Sequence, residues 1–374
     1  MCGLTIEKIN LKGGNNVNKY LAYMALNNSA TDTWKEFDID KSIVIDDFET
    51  DVYGTFDFVD ETNYFITRKT DYVPITHTDG AGMILPSVCT KNFMFRSAWI
   101  KGLLGVFDFI KFIKVNNCSP IIKDIYGKEH HIIDEDIQVI FTKSQFKMYK
   151  FYDSWDEYKR YFKKYHCEAG KCNIEEERIK NAKINYQMLQ TLTDITDEEV
   201  DVLTHKSFEK INNICSSKET MMDILGITPY NTNMTPFQKA VKLYPTLLND
   251  TYAKDTIRDI KNSLLKKYRS GKLEVNGKYT LKQTNDINEY WFGHIKKPKG
   301  LLDNQEVFCW LFKSHDTLDC LRSPHLYKEH AIRSNIANNK YGERANQIKE
   351  WFTTNGIYTS THDLISKMLQ FDDH

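Results

Sequence analysis

Thr76-His77-Thr78-Asp79-Gly80-Ala81-Gly82-Met83-Ile84-Leu85-Pro86-Ser87, continuing through Phe93, Arg96 and Lys101-Gly102 into Leu103-Leu104-Gly105-Val106-Phe107-Asp108, is the stretch from which the fold is read. Asp79-Gly80 predicts a turn, because glycine takes positive φ without steric cost and aspartate hydrogen-bonds its own backbone. Gly82 permits a second close backbone approach, and the apolar residues that follow predict central strands through 93–115. Arg96 and Lys101 flank Trp99 with few acids nearby, so two cations are spaced to converge on one polyanion. Such a pair suits phosphate groups.

The 374 residues suffice for a substantial core in two or three domains. A charged fraction of 27% and a hydrophobic fraction of 41% fit a globular protein and exclude the disordered classes. Fifty basic residues against 51 acidic ones decide nothing about nucleic acid, since local patches govern binding. Residues 36–62 carry ten acids, whereas 91–128 carry seven Lys or Arg against Asp108 and Asp124. Taken singly, each run reads as a solvated face. Eight scattered cysteines, no signal-like apolar N-terminus and no apolar run long enough to span a bilayer predict free thiols, no membrane partner and a cytoplasmic setting. His166, Cys167 and Cys172 lack a second Cys/His pair at zinc-site spacing.

Along the chain, Lys19–Leu26 predicts a short helix, and Ser42–Ile45, Val52–Phe56 and Tyr64–Thr67 predict antiparallel strands separated by acidic turns. Ile137–Phe141 predicts a further strand. Helical periodicity then takes over, with helices from Asp153 to about Tyr165, over Asn173–Leu192 (Ile179, Ala182, Tyr186 and Leu189 forming the stripe) and over Tyr252–Ser270. Thr196 to Glu199 and Ser216 to Glu219 are capping-box patterns, Thr235-Pro236 marks a helix start, and Gly226 and Gly271 mark helix ends. On the last helix Lys254, Arg258, Lys261 and Lys267 form either a basic rail for a nucleic-acid backbone or a solvated face. Asn276-Gly277 predicts a hairpin, followed by strands at 307–312 and 317–321. Periodicity and turns alone thus give an α+β protein with basic patches.

The wording from Thr76 to Asp108 resembles the first double-psi β-barrel of the two-barrel RNA polymerases, in particular the phage single-chain polymerases called YonO-like. It is also similar to the cell-type RNA-dependent RNA polymerases, whose Asp-Gly-x-Gly turn precedes a similar arginine and a Lys-Gly strand. Ser144-Gln145-Phe146-Lys147 resembles the family's Ser-x-x-Lys segment, and Arg322-Ser323-Pro324-His325-Leu326 the Arg-x-Pro-x-Leu segment that enters the second barrel. Leu369-Gln370-Phe371-Asp372-Asp373-His374 looks like the approach to the Asp-x-Asp-Gly-Asp metal loop. The resemblance implies an α+β fold with a first double-psi β-barrel, a helical middle region and the start of a second, incomplete β-barrel. Its implied boundaries are 1–75 for a β-rich N-terminal region, 76–152 for the first barrel core, 153–272 for the helical subdomain and 273–374 for the second barrel.

The resemblance implies template-directed RNA synthesis, with template nucleic acid, nascent RNA and ribonucleoside triphosphates as partners and Mg²⁺ as cofactor. Lys101 and Lys147 would stand beside the 3′ end and the triphosphate, Arg96 and Arg322 would hold phosphates and ribose, and Asp372 with Asp373 would begin the Mg²⁺ site. Asp79 and Gly80 would shape the barrel turn. His374 falls where the second aspartate of the metal loop would be, so these residues alone are expected to lack polymerase activity. Truncation, or a second chain that completes the catalytic barrel, would account for this. DNA is the template that the phage resemblance implies, and a bacterial host cytoplasm the setting. An RNA-templated polymerase and a catalytically inert nucleic-acid-binding or scaffold protein remain the alternatives.

Overall fold

Short apolar runs without alternation predict strands covered on both faces, and the chain assembles them into one central sheet. The computed structural model describes residues 2–25, 32–60, 62–176, 179–184, 189, 192–229, 231, 233–284, 286–321, 330–336 and 343–363. Up to residue 172 these form strands β1 (Asp32–Thr33), β2 (Ser42–Ile45), β3 (Glu49–Val59), β4 (Ile66–Thr76), β5 (Ala81–Ile84), β6 (Phe93–Ser97), β7 (Ile100–Val106), β8 (Ile121–Lys123), β9 (Glu129–His131), β10 (Val139–Thr142) and β11 (Gly170–Cys172). The helices are α1 (Ile6–Leu11), α2 (Val17–Met24), α3 (Phe109–Val115) and α4 (Trp155–Lys164). Seven strands pair in the order β1-β11-β6-β7-β5-β10-β2. The pairs β5/β7 and β10/β2 are parallel and the others antiparallel.

Alternate residues of these strands feed two apolar cores. Val44, Ile84, Phe95, Val139 and Phe141 enter one, while Ile43, Ile45, Met83 and Ile140 enter the other. Both faces being covered explains why Ser42–Ile45 is buried at every position. Trp155 and Tyr158 of α4 stack at 4.8 Å in the first of these cores, and the Trp155 indole N–H donates to Ser42 O at 2.7 Å. β3 and β4 form a separate two-stranded hairpin whose ladder runs from Glu49↔Thr76 to Val59↔Ile66.

Two expectations for this region fail. Ser42–Ile45 does not join an antiparallel set with β3 and β4, but pairs in parallel with β10, a partner far away in sequence. The strands expected through 115 stop at Val106. There Asp108 accepts a hydrogen bond from Lys111 N–H at 2.9 Å and caps α3, whose Phe109 and Ile113 face the core.

Lys180–Tyr279 forms a second compact unit. It holds β12 (Asn181–Lys183), α5 (Asp197–Asn213), α6 (Lys218–Ile224), α7 (Pro236–Leu243), α8 (Thr251–Arg269) and β13 (Glu274–Lys278) around a core that includes Ile214, Val241, Ile257 and Leu264. Thr196 and Thr235 make reciprocal capping boxes with Glu199 and Gln238, and Gly226 and Gly271 close helices at φ of 74° and 75°. Ser217, rather than Ser216, caps α6. Ala182, expected on a helical stripe, lies instead in β12, which pairs antiparallel with β13. Tyr186 of that stripe lies outside the described residues. Asn276 and Gly277 are not a hairpin turn: neither takes the positive φ such a turn needs, and both continue β13 alongside β12.

The chain then returns to the first unit with β14 (Lys282–Thr284), α9 (Ile287–Trp291), β15 (Glu306–Val307), β16 (Thr317–Leu321), β17 (His330–Asn335), α10 (Glu343–Trp351) and β18 (Ile357–Thr359). β14 pairs in parallel with β18, and β17 lies between β15 and β16. Trp351 stacks on Phe107 at 5.6 Å, which joins these elements to the central sheet. The architecture is α+β. Among the described residues no helix is long and apolar enough to cross a membrane.

Candidate active site

The turn at the head of β5 is built as its residue types dictate. Gly80 takes φ of 66°, and a Cβ there would meet open space. Its N–H donates to Ser144 Oγ at 2.8 Å, and its carbonyl accepts from Leu103 N–H at 2.8 Å. Gly82 answers to a different constraint. A Cβ on it would lie 2.3 Å from Ile140 O and 2.6 Å from Gln145 Oε1, and one on Gly102 would lie 2.3 Å from Gly80 O. The glycines therefore let β5 and β7 close around the Gln145 side chain. Gln145 is fully buried; its Oε1 accepts from Thr142 N–H at 3.0 Å and its Nε2 donates to Leu103 O at 2.8 Å.

The same loop carries Lys147. Its backbone N–H donates to Trp99 O at 2.9 Å, and Lys101 N–H donates to Gln145 O at 3.1 Å. Segments 144–147 and 99–101 are thus stitched together at two points. The Lys147 ammonium donates to Ser144 O. Burial pushes the Lys147 pKa down, and Lys101 pushes it the same way, while Asp79 and Asp47 oppose them. These four charged groups therefore lie within electrostatic reach of one another. Lys101 is exposed and sits directly opposite Arg96 in the β6/β7 ladder, so the two cations stand on one face. Trp99, at φ of 62° and fully buried, forms the turn between them.

Asp47 was not singled out by sequence as part of a working site, and Ser144 was read only as the first residue of the Ser-x-x-Lys segment, without a role of its own. Asp47 is buried, and its Oδ1 accepts from Thr78 Oγ1 and Ser144 Oγ, both at 2.7 Å, while its Oδ2 accepts from Ser144 N–H at 2.7 Å. Burial pushes its pKa up, the bonds from Ser144 and Thr78 oppose this, and the neighbouring Asp79 adds to the rise. The available signal was an acid at the end of the apolar strand Ser42–Ile45, but Asp47 lay hidden within the acidic run 36–62.

The structure brings together Arg96, Lys101, Lys147 and the Asp79-Gly80 turn. Arg322, Asp372 and Asp373 lie outside the described residues. Among the described residues no group of three or more His, Cys, Asp or Glu side chains could hold a metal ion. The arrangement presents one exposed and one half-buried ammonium beside an open glycine turn. A partly desolvated ammonium attracts a phosphate oxygen more strongly than one in bulk water does.

Over 375 aligned residues the chain is 49% identical to the DNA-directed RNA polymerase YonO of Bacillus phage SPbeta. It is similar to a phage RNA polymerase. The match takes in all of this chain and 43% of that polymerase, so the chain spans less than half of the relative's length. No family model matches the chain.

Proposed function

We propose that the chain acts in template-directed RNA synthesis, with DNA as template, and adds ribonucleoside monophosphates to the 3′ end of nascent RNA. The observation that carries this reading is the stitching of the Lys147 loop to the Lys101 strand around the Asp79-Gly80 turn. Likeness along the whole chain to a DNA-directed RNA polymerase points the same way. In this reading β2, β5, β7 and β10, with their two parallel ladders joined by the antiparallel β5/β10 pair, belong to a double-psi β-barrel. Residues 273–374 contribute to the start of a second one.

Lys101 and Lys147 neutralise charge that accumulates on the transferring phosphate, and Arg96 draws the triphosphate toward them. Arg322 serves ribose and phosphate, and Asp372 and Asp373 are the residues that would hold Mg²⁺. Bound Mg²⁺ would lower the pKa of the attacking 3′ hydroxyl and steady the leaving pyrophosphate. The partners are template, nascent RNA and ribonucleoside triphosphates, and the setting is the cytoplasm of a bacterial host.

Run-off synthesis on matched DNA and RNA templates tests the reading. The enzyme would be this chain joined in frame to the part of the SPbeta polymerase outside its matched segment. RNA made on the DNA template, and lost in Lys147→Ala, is the expected result. A folded fusion that adds no nucleotide, or that works equally well with Lys147→Ala, would overturn it.

A further inference from the structure

We propose that Asp47 is the positioning residue of this site: its carboxylate ties the Ser144–Lys147 loop to the Asp79-Gly80 turn and so fixes where the Lys147 ammonium stands relative to Lys101. What the ammoniums act on rests on the function proposed above; the placement itself does not.

The geometry is that of a clamp on three segments. The carboxylate accepts from Thr78 on one side and twice from Ser144 on the other. Each of those residues passes the restraint on. Ser144 Oγ accepts from Gly80 N–H at 2.8 Å, and Thr78 Oγ1 accepts from Phe48 N–H at 3.1 Å. Strand end 46–48, turn 78–80 and loop 142–147 thereby meet at one buried carboxylate. Asp46 next door shows the contrast: its side chain is largely exposed and reaches the Lys143 ammonium at 3.3 Å.

A carboxylate suits this place because all three partners are donors. Asparagine at position 47 would turn its NH₂ group either toward Ser144 N–H, where donor faces donor, or toward the Thr78 and Ser144 hydroxyls, which would then have to stop donating to position 47 and accept instead. The Ser144 carbonyl receives the Lys147 ammonium, so a shift of Ser144 moves that ammonium directly.

Trace acetylation of lysines in the full 374-residue chain, read residue by residue by mass spectrometry, tests the inference without requiring catalysis. In the native chain Lys147 should react slowly. In Asp47→Asn its rate should rise about tenfold, the size expected when a hydrogen bond to a charged group is lost. Lys159 is the control: it is buried in the same unit, donates to Asp40 O at 3.2 Å and lies outside the clamp, so its rate should not change. An unchanged Lys147 rate in Asp47→Asn would overturn the proposal, as would equal increases at Lys147 and Lys159. If Asp47→Asn fails to fold, Ser144→Ala, which removes one of the two links from Ser144, should raise the Lys147 rate in the same selective way; no rise there also overturns it. Inorganic pyrophosphate added to the native chain examines the functional reading separately, and it should protect Lys101 and Lys147 together. Loss of that protection with the Lys147 rate effect intact would remove the phosphate role and leave the positioning role standing.

Discussion

Gly80 and Gly82 stand two residues apart and fail in different ways when a methyl group is added. At Gly80 the space is open and only the left-handed backbone resists, so Gly80→Ala should cost about 1 kcal/mol. At Gly82 the new carbon meets the backbone oxygen of Ile140, which cannot rotate away, so Gly82→Ala should cost about 3 kcal/mol. Urea midpoints of the two variants should keep that order. His130 offers a second test. It is buried, with Nε2 3.2 Å from Asp124 and Nδ1 2.8 Å from Glu135. The bond to Asp124 raises its pKa above the ordinary 6.5, with Glu135 assisting and burial opposing. A histidine that binds its proton more tightly when folded stabilises fully below pH 6.5, and that contribution fades as pH rises through its raised folded value. Asp124 behaves in the opposite sense. Burial alone would raise its pKa, but the bonds from His130, Lys128 and Tyr126 outweigh this and lower it, so its contribution fades only as acid is added. Urea midpoints should therefore decline above pH 6.5 in the native chain, and His130→Gln should flatten that decline.

At the scale of elements, helix ends were the best-read features because their signals are local. The capping box at Thr196 joins residues three apart and was read as such, whereas at Thr235 sequence marked the helix start by its proline and the structure adds the box with Gln238. Replacing either threonine by alanine should cost about 1 kcal/mol, measured as a shift in the urea midpoint of helical circular dichroism. Strand partners are another matter. The β3/β4 ladder was legible because its strands follow one another, whereas the β2/β10 pair joins residues 42–45 to 139–142 and no local signal announces it. Asn276-Gly277 misled for the converse reason. A strong turn dipeptide was overruled by a ladder to β12, which precedes helices α5 to α8 in the chain.

Over the whole molecule, sequence conveyed the α+β class and the turn at Gly80, and it named Lys101 and Lys147, whose segments the structure joins by two backbone hydrogen bonds. It missed the Asp47 clamp, because a buried carboxylate in an acidic run looks like any solvated acid until its donors are placed around it. The apolar cores of the first unit and that of the second are built from different residues. Phe141→Ala in the central sheet should cost about 4 kcal/mol and weaken amide protection across β2, β5 and β10, with little change in α8, whose buried residues belong to the other core. Hydrogen exchange followed by mass spectrometry would resolve the two. The β3/β4 hairpin has a consequence of its own at this scale. Eleven residues per strand make an arm roughly 36 Å long at about 3.3 Å per residue. Tyr64 and Phe65 stand exposed at its far end. Its root is pinned by His77 N–H on Phe48 O and by Phe48 N–H on Thr78 Oγ1, beside Asp47. The root of the hairpin thus shares its hydrogen bonds with the Asp47 carboxylate, and on the function proposed above a fluorophore at position 64 should register added pyrophosphate as a change in anisotropy.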